Sequence, residues 1–134
     1  MLLGIILGCT ISLPPTIETL NHYIECRDRQ EIVDHMEDYH QVVLDNFEIH
    51  DFEKAIRIMF CESSGRQYAI NKNNNGTKDK GLWQFNDKTW KWLKNKLNFK
   101  HDRFDIVGST KIASWLAYND GWHHWNASKN CWDL

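Results

Sequence analysis

Apolar side chains recur at the spacing of an α-helix in four stretches of the chain. The predicted helices cover about residues 16–44, 51–63, 87–97 and 107–118. Residues 64–80 are polar and irregular, and the pair Asn75-Gly76 in their middle is typical of a tight turn. The pattern therefore predicts a mainly α (α+β) fold, in which a small hairpin or loop lobe interrupts the helices.

The first fifteen residues carry no charged side chain and end in Pro14-Pro15. Their apolar run is shorter than the roughly 20 residues of a membrane-spanning helix. It resembles the apolar part of an export signal that lacks the usual basic residue, and residues 6–9 resemble a lipoprotein box with Cys9 as the lipidated residue. Residues 1–15 are therefore predicted to be a leader, and an apolar strand that packs on the domain is the alternative.

Charge divides the rest of the chain into two parts. Residues 1–50 hold two basic and nine acidic side chains, whereas residues 51–134 hold fourteen basic and nine acidic ones together with all seven Trp. The formal net charge of −2 argues against a general nucleic-acid binder. We therefore expect an acidic helical segment at 16–50, serving as a spacer or as a membrane or virion tether, and a functional module at 51–134.

The histidines and cysteines bear on metal binding and on the compartment in which the protein acts. His35 and His40 are five residues apart, which does not place them on one helical face, so no metal site and no cofactor is predicted. Four cysteines in a small chain favour an oxidising, extracytoplasmic compartment, although four reduced thiols are the alternative. The sequence assigns no partner to Cys26.

Two carboxyl groups have the character of an acid pair. Glu62 ends an otherwise apolar helix, and burial there would disfavour its ionised form and raise its pKa, as a general acid near neutral pH requires. Asp79 lies in a polar stretch between two lysines and is expected to stay ionised. Carboxyls whose pKa values are pushed apart are typical of glycosidic-bond cleavage. By spacing alone, a surface Glu and a surface Asp are the favoured interpretation.

The segment from Glu62 to Phe85 resembles the active-site segment of animal-type (c-type) lysozymes. The matching positions are Glu62-Ser63, Ala69, Asn71, Asn73, Gly76-Thr77, Asp79, Gly81-Leu82, Gln84 and Phe85. In that family the Glu is the proton donor and the Asp is the nucleophile or charge stabiliser. The resemblance therefore implies these roles for Glu62 and Asp79.

Two bacterial families share further motifs. The strings C-E-S-S-G at 61–65 and G-L-W-Q-F at 81–85 resemble resuscitation-promoting factors, which end in G-W-x-x-W and a Cys that bridges to the first. Gly121-Trp122, Trp125 and Cys131 match that ending, so the resemblance implies a Cys61–Cys131 disulfide. The A-Y-N-D-G string at 117–121 resembles a motif of lytic transglycosylases.

These resemblances imply a lysozyme-like domain that cleaves the β-1,4 bond between N-acetylmuramic acid and N-acetylglucosamine in peptidoglycan. Lytic transglycosylation with Glu62 as general acid and base is the favoured chemistry. Retaining hydrolysis with Asp79 and a non-catalytic wall-binding module are the alternatives, and in the bacterial families a single Glu suffices, which would leave Asp79 a structural turn residue. We expect a monomer that binds glycan strands through Ser63, Asn71, Gly81, Trp83, Gln84, Tyr118, Asn119 and Trp122.

Overall fold

The computed structural model describes residues 9–10 and 16–133, except for the side chains of residues 29 and 31–38. Five α-helices lie in this part of the chain: α1 Ile17–Asn46, α2 Phe52–Ser63, α3 Asp87–Leu97, α4 Ile106–Asn119 and α5 Lys129–Trp132. Two 3₁₀-helices, Ile49–Asp51 and Trp122–Ser128, precede α2 and α5. Among these described helices, none combines the length and the apolar character that crossing a bilayer requires.

The four predicted helices are confirmed, with ends that differ by two residues at most. Thr16 caps α1: its hydroxyl accepts from the backbone N–H of Thr19, and the Thr19 side chain accepts in return from the N–H of Thr16. The helical ending at 122–132 was not predicted, because its aromatic and polar residues show no clear period. Gly121, at φ +113°, separates this ending from α4.

The N-terminal half of α1 lies outside the core. Its apolar positions are exposed, with Ile17 82%, Leu20 44% and Ile24 47% accessible. Among the side chains of α1 that the structure describes, the buried ones lie in its last turns, where Tyr39 and Val43 join the hydrophobic core. Helical spacing therefore predicted the helix correctly but did not predict which apolar residues are buried.

The predicted leader lies mostly outside the described residues, but Cys9 is among them. Its sulfur forms a disulfide with Cys26, which supplies the partner that the sequence left unassigned. A sulfur in a disulfide cannot carry a thioether-linked lipid. Lipidation of the Cys9 sulfur and this disulfide exclude one another, and the predicted leader itself stays a prediction.

The small lobe is a three-stranded antiparallel sheet of β1 Ile70–Lys72, β2 Lys78–Lys80 and β3 Phe85–Asn86, in that order. The predicted turn joins β1 to β2. Its backbone closes where the Asn73 N–H donates to the Thr77 carbonyl at 2.8 Å, and Gly76 supplies the positive φ of +84°. Together with the helices, this sheet confirms the α+β fold class.

One hydrophobic core joins α1 to the rest of the molecule. Its members include Val43 of α1, Met59 of α2, Leu93 of α3 and Leu116 of α4. The core also includes Phe47, which stacks on Trp83 at a ring separation of 5.6 Å. The edge of the core therefore does not coincide with the domain boundary predicted at residue 51.

A disulfide between Cys61 and Cys131 ties α2 to α5, which is the pairing that the resemblance implied. The bond spans 70 residues of sequence. A cross-link over so long a segment removes much conformational entropy from the unfolded chain.

Replacing both Cys61 and Cys131 by Ala should lower the free energy of unfolding by roughly 4 kcal/mol on the chain-entropy model. Urea denaturation followed by circular dichroism measures this loss. The control is the double variant of Cys9 and Cys26, which should lose much less because the adjoining half of α1 lies outside the core. Equal losses in the two variants would contradict the expectation that the Cys61–Cys131 disulfide stabilises the fold more than the Cys9–Cys26 disulfide does.

Candidate active site

Glu62 and Asp79 line one cavity of about 230 Å³ between the helices and the sheet. Glu62 comes from α2 and Asp79 from β2. The remaining walls are contributed by Trp83, Gln84, Phe85, Asn86, Thr89, Leu116, His124, Trp125 and Ala127. The structure therefore brings both candidate acids of the sequence analysis together at one concave site.

Glu62 is half-buried in the last turn of α2. The helix ends just after it because Ser64 takes the left-handed conformation, with φ 54°. Burial raises the pKa of Glu62 above its usual value; a hydrogen bond from Ser128 lowers this pKa, and the negative charge of Asp79 raises it further. The net shift is upward, so the carboxyl retains its proton at higher pH than an exposed glutamate does.

The Asp79 carboxylate is held by side-chain amides. Its Oδ1 accepts from Asn86 Nδ2 at 2.8 Å and from Asn73 Nδ2 at 3.1 Å. Both amide groups also donate to the hydroxyl of Thr77. Because successive residues of a strand point to opposite faces, the neighbouring lysines of β2 do not share the face on which Asp79 lies. Amide hydrogen bonds therefore replace the lysine neighbours expected from the sequence.

Two of the predicted binding residues line the cavity but are committed to internal bonds. Trp83 is 1% exposed, and its indole N–H donates to the hydroxyl of Thr110. The Gln84 amide donates to the carbonyls of Ala69 and Gly81, and its oxygen accepts from Asn71 Nδ2 at 2.7 Å. These bonds give both side chains a structural function at the wall of the site.

The backbone at Gly81 leaves no room for a side chain. Its φ is +85°, and a Cβ at this position would lie 2.2 Å from the carbonyl oxygen of Arg103. The close approach that excludes a side chain is therefore made by the protein's own backbone. This contact gives Gly81 a structural reason to be glycine, and its predicted contact with the glycan stays a prediction.

The other predicted binding residues do not line this cavity. The Ser63 hydroxyl donates to the Met59 carbonyl within α2, and Asn119 Nδ2 donates to the Trp115 carbonyl within α4. Asn71 lies instead beside a second cavity of about 630 Å³, whose other lining residues are Tyr39 and residues 65–70.

Tyr118 and Trp122 contact the segment around the start of α2. The Tyr118 hydroxyl donates to Asp51 Oδ2 at 2.7 Å and accepts from the Glu48 N–H at 3.0 Å. Burial and the Asp51 carboxylate raise the pKa of Tyr118 to about 12. The ring of Trp122 packs 4.3 Å from Lys54 Nζ. Their contacts hold the end of α4 against the α1–α2 connection.

Two side chains near the site were not identified from the sequence. The Ser128 hydroxyl donates to Glu62 Oε1 at 2.6 Å, and His124, which the sequence analysis did not select, lines the cavity and contacts Asp120 at 2.6 Å. The signal that could have found Ser128 is its spacing: it lies three residues before Cys131, which bridges to the residue preceding Glu62.

Comparison with protein families shows to which family the chain belongs. The model of the transglycosylase SLT domain matches residues 49–121, which is more than half of the chain. The chain belongs to this family, whose members are peptidoglycan glycosidases of the lytic transglycosylase and lysozyme-like type. The match confirms the resemblance to lysozyme-like and lytic transglycosylase domains that the sequence motifs indicated. Searches of curated proteins and of solved structures return no match to the chain.

Substituting Glu62 by Gln should stabilise the fold in a pH-dependent manner. Because the folded-state pKa of Glu62 is raised, its ionisation destabilises the folded protein as pH rises through the unfolded and then the folded pKa. The variant should therefore gain stability near pH 7 and match the parent below about pH 4, where both side chains are neutral. Thermal unfolding of both proteins across this pH range measures the difference in stability. A gain in stability that is independent of pH would contradict the prediction.

Replacing Tyr118 by Phe removes two hydrogen bonds at the α1–α2 connection. The expected loss of stability is about 1 kcal/mol, with little change in the rate of glycan cleavage because the hydroxyl contacts Asp51 and Glu48. Tyr68→Phe, on a ring that is 71% exposed, is the matched control. A loss of cleavage at unchanged stability would instead support the predicted role of Tyr118 in glycan binding.

Proposed function

We propose that this protein cleaves the β-1,4 glycosidic bond between N-acetylmuramic acid and N-acetylglucosamine in peptidoglycan, with Glu62 as the general acid. The observation that carries the proposal is the half-buried Glu62 carboxyl, whose pKa is raised and which lines the same cavity as a second carboxylate, Asp79. Membership of the transglycosylase SLT domain family supports the substrate class.

The favoured chemistry is lytic transglycosylation. Glu62 donates its proton to the glycosidic oxygen, and the C1–O bond breaks through an oxocarbenium-like state. The Glu62 carboxylate then accepts the proton of the muramyl C6 hydroxyl while that oxygen bonds to C1. The product is a 1,6-anhydro sugar, Glu62 is reprotonated, and no water is consumed.

Retaining hydrolysis is the second candidate, and the position of Asp79 favours it. This carboxylate lines the same cavity as Glu62, and two amide donors fix its orientation. In this reaction Asp79 would bond to or stabilise the sugar C1, and water activated by Glu62 would then complete the hydrolysis.

We further propose that the protein acts outside the cytoplasm. Its two disulfides, Cys9–Cys26 and Cys61–Cys131, are typical of oxidising compartments, and peptidoglycan lies there. The acidic segment 16–50 would serve as a spacer or tether in its N-terminal half, where α1 extends beyond the core. The basic module 51–134 would be attracted to anionic wall polymers in a salt-dependent manner.

Glu62→Gln should reduce the release of soluble fragments from purified peptidoglycan by at least about a hundredfold, the usual contribution of a general acid. The matched control is Glu53→Gln, on the same helix but on an exposed side chain that pairs with Arg57. Release by Glu62→Gln equal to that of an active parent would contradict the assignment of Glu62 as general acid, whereas no release by either protein would favour the wall-binding alternative.

Mass spectrometry of the same digests separates the two chemistries. Transglycosylation predicts anhydro products, each one water lighter than the hydrolytic ones, and Asp79→Asn should retain most of the activity. Hydrolysis predicts hydrated products and a large loss of activity in Asp79→Asn.

A further inference from the structure

Ser128 provides a contact to Glu62 from outside the family match. It ends the 3₁₀-helix Trp122–Ser128, whereas the match stops at residue 121. Its hydroxyl oxygen lies 2.6 Å from Glu62 Oε1 and 3.2 Å from the Trp125 carbonyl oxygen. Since a hydroxyl has a single proton and the first contact is much shorter, the hydrogen bond is directed mainly to the carboxyl group.

The position of Ser128 is fixed from two sides. Three residues further on, Cys131 is bonded to Cys61, the residue directly before Glu62. Trp132 is buried, and its indole N–H donates to the Trp125 carbonyl at 3.0 Å. The same disulfide therefore restrains the hydroxyl and the carboxyl that it contacts.

The surroundings of Glu62 leave Ser128 a distinct function. Within the part of the chain that the structure describes, Ser128 is the residue that hydrogen-bonds the Glu62 carboxyl. The titratable groups facing the same cavity are Asp79 from the sheet and His124 from the 3₁₀-helix. Helices α3 and α4 contribute only Thr89 and Leu116, which do not titrate.

We propose that Ser128 is a positioning residue, whose hydroxyl holds Oε1 of Glu62 so that Oε2 carries the proton that is transferred to the glycan. This inference rests on the proposed general-acid function of Glu62. A hydrogen bond to the carboxylate also stabilises Glu62 after the transfer, when the charge would otherwise be left in a half-buried position. The hydrogen bond from Ser128 thus partly offsets burial, which raises the pKa of Glu62.

The direct test is a carbon-13 NMR titration of the Glu62 carboxyl in the parent, Ser128→Ala, Ser128→Thr and Ser109→Ala. Ser109 is a matched control because it is buried in α4, and its hydroxyl contacts only the Ile106 carbonyl of its own helix. The Ala substitution at 128 should move the Glu62 titration to higher pH, whereas the other two variants should follow the parent. An unmoved titration in Ser128→Ala overturns the proposal, whether or not the protein cleaves glycan.

Cleavage kinetics on soluble peptidoglycan strands provide the second readout. Ser128→Ala should lower kcat about tenfold with little change in KM, because the orientation of the Glu62 carboxyl is lost while the cavity remains. The alkaline limb of the pH–rate profile of this variant should also move to higher pH. Ser128→Thr should restore both kcat and the position of the alkaline limb. Parental kinetics in Ser128→Ala would overturn the inference but leave the proposed function intact, whereas cleavage that survives Glu62→Gln would overturn both.

Discussion

The chemistry proposed for this molecule depends on the free energy of one ionisation, that of the Glu62 carboxyl. Partial burial opposes the charged form, and so does the negative charge of Asp79. The Ser128 hydroxyl favours the charged form. On balance the pKa of Glu62 is raised, which is the direction that the proposed general acid requires.

Most of the structure around Glu62 maintains this balance. The Cys61–Cys131 bridge fixes the end of α2 against α5, and the sheet holds Asp79 in the wall of the same cavity. Asn86 links the two lobes, because its amide nitrogen donates to Asp79 while its oxygen caps α3. A single side chain therefore couples the start of a helix to the orientation of the second carboxylate.

Local features were predictable from the sequence because they depend on neighbouring residues. Helical periodicity located α2 and α3, and the Asn75-Gly76 pair located the hairpin turn. The character of the Glu62 position followed from the apolar residues just before it. The motifs that resemble known families also identified Asp79, although the resemblance could not reveal that Asn73 and Asn86 hold its carboxylate.

Functions that depend on distant partners could not be predicted. Tyr118 matches a family motif, yet its hydroxyl bonds to Asp51, 67 residues away in sequence. Ser128 is 66 residues from Glu62 and belongs to none of the motifs that resemble the lysozyme and transglycosylase families. The most direct test of the account compares the NMR titration midpoint of the Glu62 carboxyl with the alkaline midpoint of kcat/KM for glycan cleavage in the same buffer. The account predicts that the two midpoints coincide above the range of an exposed glutamate, whereas a Glu62 that titrates like an exposed glutamate, or an activity that follows another group, would contradict it.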